Sequence, residues 1–431
     1  MKHPLNLSLP VLVPLLALPA LSLAFKPVSQ ICFYLLVLLA LAALACHRRL
    51  GLSSPAAFAR EYWPLCVALL LPVASLAATF TYHGIFDGRE LEKKLGLALA
   101  LPIFWLLLQL APERLRHLQW GYLAGAGLGA GMVITLVSIL GFDRSVFSHT
   151  GIQVNAVSYA NLLMLLGLAS LVSLGWTLSC NEKLEMAAKL AVGALVLYAT
   201  LITETRSSWL AIPAFAVLLP VSLGKHLRLR WIFPGMLVAA AGLALFIWLE
   251  PTLNARLMAG VNDLTTFRQN PDTSLGIRLQ LWNAAWHMFQ QEPWFGIGNP
   301  AAFHRFLDAY ALSGQVTPFV AENFGEPHND YLAALSMYGL PGLLALLLAY
   351  TVPAIYFIRR LQQHPPTAIR VPACLGLLWC LSYMVFSLPE HMFRDTRIFP
   401  LYSVMIVAFL ALSRPAPAAG STETVKISAH A

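Results

Sequence analysis

The sequence predicts an all-α protein: a polytopic membrane bundle of about 12 transmembrane helices with one large, partly helical loop. Three observations predict it. Of the 431 residues, 58% are hydrophobic and only 11% are charged, whereas a soluble domain carries about 25% charged residues. Apolar runs of roughly the 20 residues needed to cross a hydrocarbon core recur from one end of the chain to the other. Only one connection between those runs, residues 250–330, is long. This composition excludes a soluble enzyme. The formal charge of +8 is distributed as short basic clusters between apolar runs. Such clusters read as topology signals, so a nucleic-acid role is excluded as well.

The runs follow in order: 5–24, 28–46, 62–80, 95–111, 119–140, 156–178, 188–203, 207–223, 231–249, 331–358, 371–388 and 398–413. The first resembles a secretory signal in position. It contains Pro10, Pro14 and Pro19, however, and passes through Lys26 into a second apolar run without a clear small-residue cleavage site, so it reads as a retained span. Charged or turn-rich breaks separate the others. With the N-terminus in the cytoplasm, 16 of the 28 Lys and Arg fall on the inner side, among them Arg48, Arg49, Arg60, Arg114, Arg116, Lys225, Arg228, Arg230, Arg359, Arg360 and Arg370. That bias places both termini in the cytoplasm. The domain organisation expected is spans one to nine over 1–249, a periplasmic loop with interfacial helices over 250–330, spans ten to twelve over 331–413, and a disordered cytoplasmic tail over 414–431. Cys32, Cys46, Cys66, Cys180, Cys374 and Cys380 all lie in spans or at inner ends, so neither a disulfide framework nor a cysteine metal site is indicated.

A loop as long as 250–330 usually carries function. Within it Leu275, Leu279, Trp282, Trp286 and Phe289 recur at helical spacing and form one apolar stripe, ended by Pro293 and the Gly296-x-Gly298 turn. One reading is a helix lying in the membrane interface with its tryptophans at headgroup level. Arg278, at the edge of the stripe, either snorkels to water or meets an anionic headgroup. The loop ends in Glu326-Pro-His-Asn-Asp-Tyr331, directly before the tenth span, which places His328 at the outer mouth of the bundle. A histidine there is either a structural residue at a helix start or a base: a neutral imidazole accepts a hydroxyl proton near pH 7. Asp330 reads as the N-cap.

Two further exceptions stand out. The segment 190–223 is apolar except for Thr203-Glu-Thr-Arg-Ser-Ser208, with a short arm on each side that should draw Glu204 and Arg206 toward the hydrocarbon. The pair either closes a hairpin, or Arg206 is a guanidinium kept for phosphate, whose oxygens its planar fork matches. Glu390-His-Met-Phe-Arg-Asp-Thr-Arg397 joins the last two spans and reads first as a solvated loop with internally paired charges. If the bundle gathers Arg206, Arg278 and one of Arg394 or Arg397, they form a cationic pocket for an anionic lipid headgroup. The chain contains no phosphate-binding glycine loop, zinc-protease helix, serine-hydrolase elbow or Cys-x-x-Cys pair. His83-Gly-Ile-Phe-Asp87 is too isolated to serve as a metal site.

The order of these features resembles the O-antigen ligase family. The features are the spans, the large outer loop before the tenth, Arg278-Leu-Gln-Leu-Trp-Asn-Ala-Ala-Trp running to Pro293-Trp-Phe-Gly-Ile-Gly298, and then Pro327-His-Asn-Asp-Tyr-Leu with Gly339-Leu-Pro-Gly. The wider superfamily includes O-antigen polymerases and protein O-oligosaccharyltransferases. The resemblance implies transfer of O-antigen from undecaprenyl pyrophosphate to a sugar hydroxyl of lipid A–core, on the periplasmic face of the bacterial inner membrane. It implies inversion at the anomeric carbon and no metal or other cofactor. It also implies His328 as general base and Arg206 and Arg278 as holders of the donor pyrophosphate, with Arg394, Arg397, Asn329 and Tyr331 as secondary site candidates. The expected partners are the lipid-linked donor, the lipid A–core acceptor and membrane lipids. A polymerase or protein glycosyltransferase would use nearly the same chemistry. A transporter would need charges at mid-bilayer in several spans or a repeat between halves, and the sequence shows neither.

Overall fold

The structure, a computed structural model, describes residues 8–25, 27–143, 146–149, 155–224, 230, 232–249, 254, 258, 269–394 and 398–414. Arg397, most of 250–268 and the tail beyond Arg414 lie outside the described residues. Among the described residues every regular element is helical. The first half contains α1 (Ser8–Leu21), α2 (Val28–Ala45), α3 (Trp63–His83), α4 (Gly88–Ala98), α5 (Ala100–Leu107), α6 (Leu118–Val133), α7 (Ala156–Val172), α8 (Glu182–Ile202), α9 (Ile212–Ser222) and α10 (Ile232–Leu249). The loop supplies α11 (Ser274–Gln291), α12 (Pro300–Leu312) and α13 (Pro318–Asn323), and the chain closes with α14 (Asp330–Gln362), α15 (Thr367–Phe386) and α16 (Ile398–Leu412).

Each of the twelve apolar runs is helical, and the chain is an all-α, multi-pass membrane protein. Among the described residues seven helical segments are long and apolar enough to cross a membrane, including α2, α3, α8, α14 and α15, while α1 and α16 are shorter. The run expected at 95–111 begins earlier, at Gly88, because Asp87 accepts hydrogen bonds from the amides of Arg89 and Glu90 and caps α4. The run expected at 188–203 also begins earlier. Asn181 caps α8 through the Leu184 amide, and the helix reaches 21 residues, about 30 Å. The short arm inferred before Arg206 is therefore absent, because charged Glu185 and Lys189 are folded into the helix as a buried ion pair of 2.7 Å. Lys189 also donates to the carbonyls of Ser173 and Trp176, and Gln119 donates to Glu185. With every partner satisfied, the buried charges are tolerated.

Close helix approach rests on small residues. Along α6 a Cβ at Gly121 would stand 2.6 Å from the Leu16 carbonyl oxygen, and one at Gly125 would stand 2.0 Å from that of Pro19. These glycines let α6 lie against α1, the packing mode by which membrane helices gain contact without a hydrophobic driving force. All of α16 is buried, as befits a helix that is apolar all round. It sits between α15 and the α2/α5 pair.

The loop helices build a second core of their own. Leu281, Ala284, Ala285 and Met288 from α11, Phe303 and Leu307 from α12 and Val320 from α13 bury against Leu76 and Phe80 of α3 and against Met337 and Tyr338 of α14. The loop is thus a folded cap seated on two spans. Its seat is a break in α14, where Gly339 adopts φ 66° and ψ −163°. Pro341 has no amide for the Met337 carbonyl, and that carbonyl instead accepts from Gly298; Ser336 accepts from Ile297, and Leu340 donates to the Pro293 carbonyl. The Pro293–Gly298 turn and the Gly339–Gly342 segment are therefore two halves of one joint.

Candidate active site

Arg206 begins the short helical turn Arg206–Ala211 that links α8 to α9, and Arg278 lies in the second turn of α11. Separated in sequence by α9, α10 and the first part of the loop, they line the same cavity of about 360 Å³, together with Glu204, Thr205, Ser207, Ser274 and Pro389. The loop cap therefore closes over the α8–α9 link. Ser207 is steadied by donating to Asn161 Oδ1 at 2.9 Å, and Arg278 donates to the Ser274 hydroxyl at 3.1 Å. Two guanidiniums, one carboxylate and several hydroxyls give the cavity a net positive lining suited to a phosphate-bearing ligand.

His328 stands beside this cavity and does not line it. Two connections join them. Trp282, one helical turn beyond Arg278, donates its indole N–H to the Pro327 carbonyl at 3.0 Å. Glu390, next to Pro389 of the cavity wall, lies 3.6 Å from His328 Nδ1 through its Oε1. The His328 backbone is in the left-handed region with φ 48°, a conformation that costs a non-glycine residue energy and that clusters at functional positions. The edge of the ring meets Phe324 with centroids 5.6 Å apart. Its Nδ1 is buried without a hydrogen bond, and the side chain as a whole is 14% exposed.

Several expectations change here. Asn329, not Asp330, caps α14, accepting from the Leu332 amide at 3.0 Å. Asp330 is instead an anchor: its carboxylate accepts from Ser387 Oγ and from the amides of Met392 and Phe393. Tyr331 donates to the Met384 carbonyl at 2.8 Å. Asn329 and Tyr331 are thus committed to structure and do not line the arginine cavity. The segment after Pro389 is not a solvated loop with internal pairs, because Glu390 and His391 are buried. His391 Nδ1 meets Glu326 Oε2 at 2.9 Å, and Arg394 meets Glu326 Oε1 at 2.7 Å. Arg394 therefore faces the loop carboxylate and not the cavity.

The burial of Glu326 pushes its carboxyl upward, but His391 and Arg394 outweigh this and hold it at about 2. For His391, burial lowers the imidazole value, and Glu326 and Asp330 together carry it above the ordinary range. The apolar stripe of α11 is likewise not its buried face. Gly276, Gln280, Leu281, Ala284, Ala285 and Met288 face inward, while Trp286 is left 46% exposed. Small residues permit the close approach to α14 that bulky ones would prevent. Residues His83 and Asp87 serve structure too: His83 Nε2 meets the Gly296 carbonyl at 2.7 Å, and Asp87 caps α4. Among the described residues no His, Cys, Asp and Glu group has the geometry to hold a metal. The sequence marks Glu390 and His391 only as members of an outer polar cluster, since a buried position in a short polar connection leaves no periodic signal to reveal the Glu390–His328 and Glu326–His391 contacts.

The arrangement is thus a multi-pass membrane bundle with a folded cap over a cationic cavity, beside a histidine in the left-handed region. Residues 191–347 match the sequence model of the O-antigen ligase family, a stretch that runs from within α8 to just past the joint in α14 and holds Arg206, Arg278 and His328. The match covers somewhat over a third of the chain, and over that stretch the chain is similar to O-antigen ligases. An uncharacterized protein of Haemophilus influenzae is 22% identical over 304 residues, covering 70% of this chain and 74% of the relative.

Proposed function

We propose that the protein is an O-antigen ligase, which transfers the polysaccharide from undecaprenyl pyrophosphate to a sugar hydroxyl of lipid A–core with inversion at the anomeric carbon. The observation that carries this reading is the meeting of Arg206 and Arg278 in one cavity beside His328. In this reading the cavity opens to the periplasm, both termini are cytoplasmic, and the 250–330 segment caps the outer end of the bundle in the inner membrane.

The acceptor hydroxyl oxygen attacks the anomeric carbon and forms the new glycosidic bond. The bond from that carbon to the pyrophosphate oxygen breaks, and its electron pair leaves with undecaprenyl pyrophosphate. His328 takes the hydroxyl proton, a contribution of about 10²–10⁴ in rate. The two guanidiniums meet the charge that grows on the leaving pyrophosphate, and they act more strongly in a partly dehydrated cavity than in water. The leaving group itself activates the anomeric carbon.

The test is a lipopolysaccharide gel on a strain lacking this chain, complemented with wild type or His328→Ala, with lipid-linked polymer probed in parallel. Ligase chemistry at His328 predicts core–lipid A without a ladder, accumulated lipid-linked polymer, and no rescue by His328→Ala although the variant reaches the membrane. A band of core plus one repeat would instead mean a polymerase. An unchanged ladder in the deletion strain would remove the ligase reading, and full rescue by His328→Ala would remove the base.

A further inference from the structure

We infer that Glu390 is the positioning residue of the His328 base, and that Asn155 fixes Glu390 for the task; this rests on the reading of His328 given above. Glu390 is 1% exposed, on a short connection where a free carboxylate would ordinarily turn to water. A buried carboxylate is retained only with partners. Its Oε1 faces two groups: His328 Nδ1 at 3.6 Å and Asn155 Nδ2 at 3.4 Å. Asn155 is itself held, because its Oδ1 accepts from the Val157 amide at 3.0 Å as the cap of α7. A fixed donor thus presents a fixed carboxylate oxygen to the buried nitrogen of the imidazole.

The consequence is chemical. A base needs its lone pair on the nitrogen that faces the acceptor sugar. An acceptor at Nδ1 holds the proton there and leaves the lone pair on Nε2. A separation of 3.6 Å is not yet a hydrogen bond, and the contact closes when substrate seats the ring, as base contacts commonly tighten in the bound complex. After proton transfer the same carboxylate faces an imidazolium and steadies it. Glu390 touches neither donor nor acceptor in this account and acts through His328 alone.

Both neighbours converge on Oε1, which yields a test specific to tautomer control. The full-length enzyme is assayed in proteoliposomes with lipid-linked O-antigen and lipid A–core. Glu390→Met, similar in length and without a strong acceptor, should lower kcat by about 100-fold while the donor KM stays within about threefold. Glu390→Gln should stay within about tenfold of wild type, because Asn155 turns the glutamine oxygen toward His328. Adding Asn155→Asp to Glu390→Gln should then cost about a further tenfold or more. The introduced aspartate still caps α7, but it takes the glutamine amide donor and flips the side chain so that N–H faces Nδ1. Equal kcat for the Met and Gln variants, or a double variant as active as Glu390→Gln, would overturn the inference. Should Glu390→Met fail to fold, the near-isosteric pair with and without Asn155→Asp decides alone. Full transfer by His328→Ala would sink the base reading itself. A dead His328→Ala variant with indistinguishable Glu390 variants would sink only the role of Glu390.

Discussion

Arg206 and Arg278 line one cavity with a single carboxylate, Glu204, among the lining side chains. Point charge and shape can be separated at Arg278. A lysine there keeps the positive charge but loses the planar fork that grips two phosphate oxygens at once. Arg278→Lys is expected to lower transfer by about 10–100-fold, with Trp282 still bonded to the Pro327 carbonyl and the loop cap intact. Transfer kinetics at saturating acceptor check this, and wild-type activity would make Arg278 an anchor of the helix. Which residues can be read directly depends on what reveals them. Arg206, Arg278 and His328 are legible because each is a polar interruption of an apolar pattern. Glu390 is not, because its meaning comes from burial against a loop more than sixty positions away.

At the scale of elements, the joint between the loop cap and α14 leaves no room for a side chain at Gly339. A Cβ at Gly339 would lie 2.4 Å from the Trp294 carbonyl oxygen, in a backbone conformation at φ +66° that side chains resist. Gly339→Ala should destabilise the protein by about 1–3 kcal/mol from backbone strain alone and shift the seat of α11, so both the melting temperature in detergent and transfer should fall. At Gly131, in α6, a Cβ would meet nothing within 4 Å, and Gly131→Ala should be neutral or slightly stabilising. A second tie, Glu326 to His391, is sensitive to pH. The Glu326 value is held below its unfolded value, near 2, so its stabilisation is present above about pH 4.3 and is lost as pH falls from there. The His391 value is raised, so its stabilisation is complete below about pH 6.5 and is lost as pH climbs through the higher folded value. The tie is therefore strongest between those limits. Amide exchange at Met392 and Phe393, corrected for intrinsic rate, should show less protection at about pH 9 than at about pH 5.5, and equal protection would discount the tie. The helices themselves are legible because long apolar runs leave little choice. The buried face of α11 is not, because periodicity marks bulky residues, while the core shared with α14 takes in Ala284 and Ala285 and the close approach of the Pro271 carbonyl requires glycine at 276.

For the whole molecule, α8 sets the scale. Its first turns hold the buried Glu185–Lys189 pair and its last leads to Arg206, so about 20 Å of helix, from Lys189 to Ile202, separates the structural charges from the chemical ones. One end of α8 thus carries a buried ion pair, and the other leads to a cationic cavity under a cap. If the capped end faces the periplasm, as the proposed function requires, the two ends must differ in access. Cys46 and Cys180 are exposed thiols in connections that the Lys and Arg bias assigns to the cytoplasm, and Ser313 follows α12 in the cap. In a background lacking the other cysteines, a membrane-impermeant thiol reagent applied to intact spheroplasts should label Ser313→Cys and spare Cys46 and Cys180. The latter two should react only after the membrane is opened. Labelling of Cys180 in intact spheroplasts together with protection of Ser313→Cys would invert the orientation. The cavity would then face the cytoplasm, where a lipid A–core acceptor awaiting periplasmic glycan could not be served.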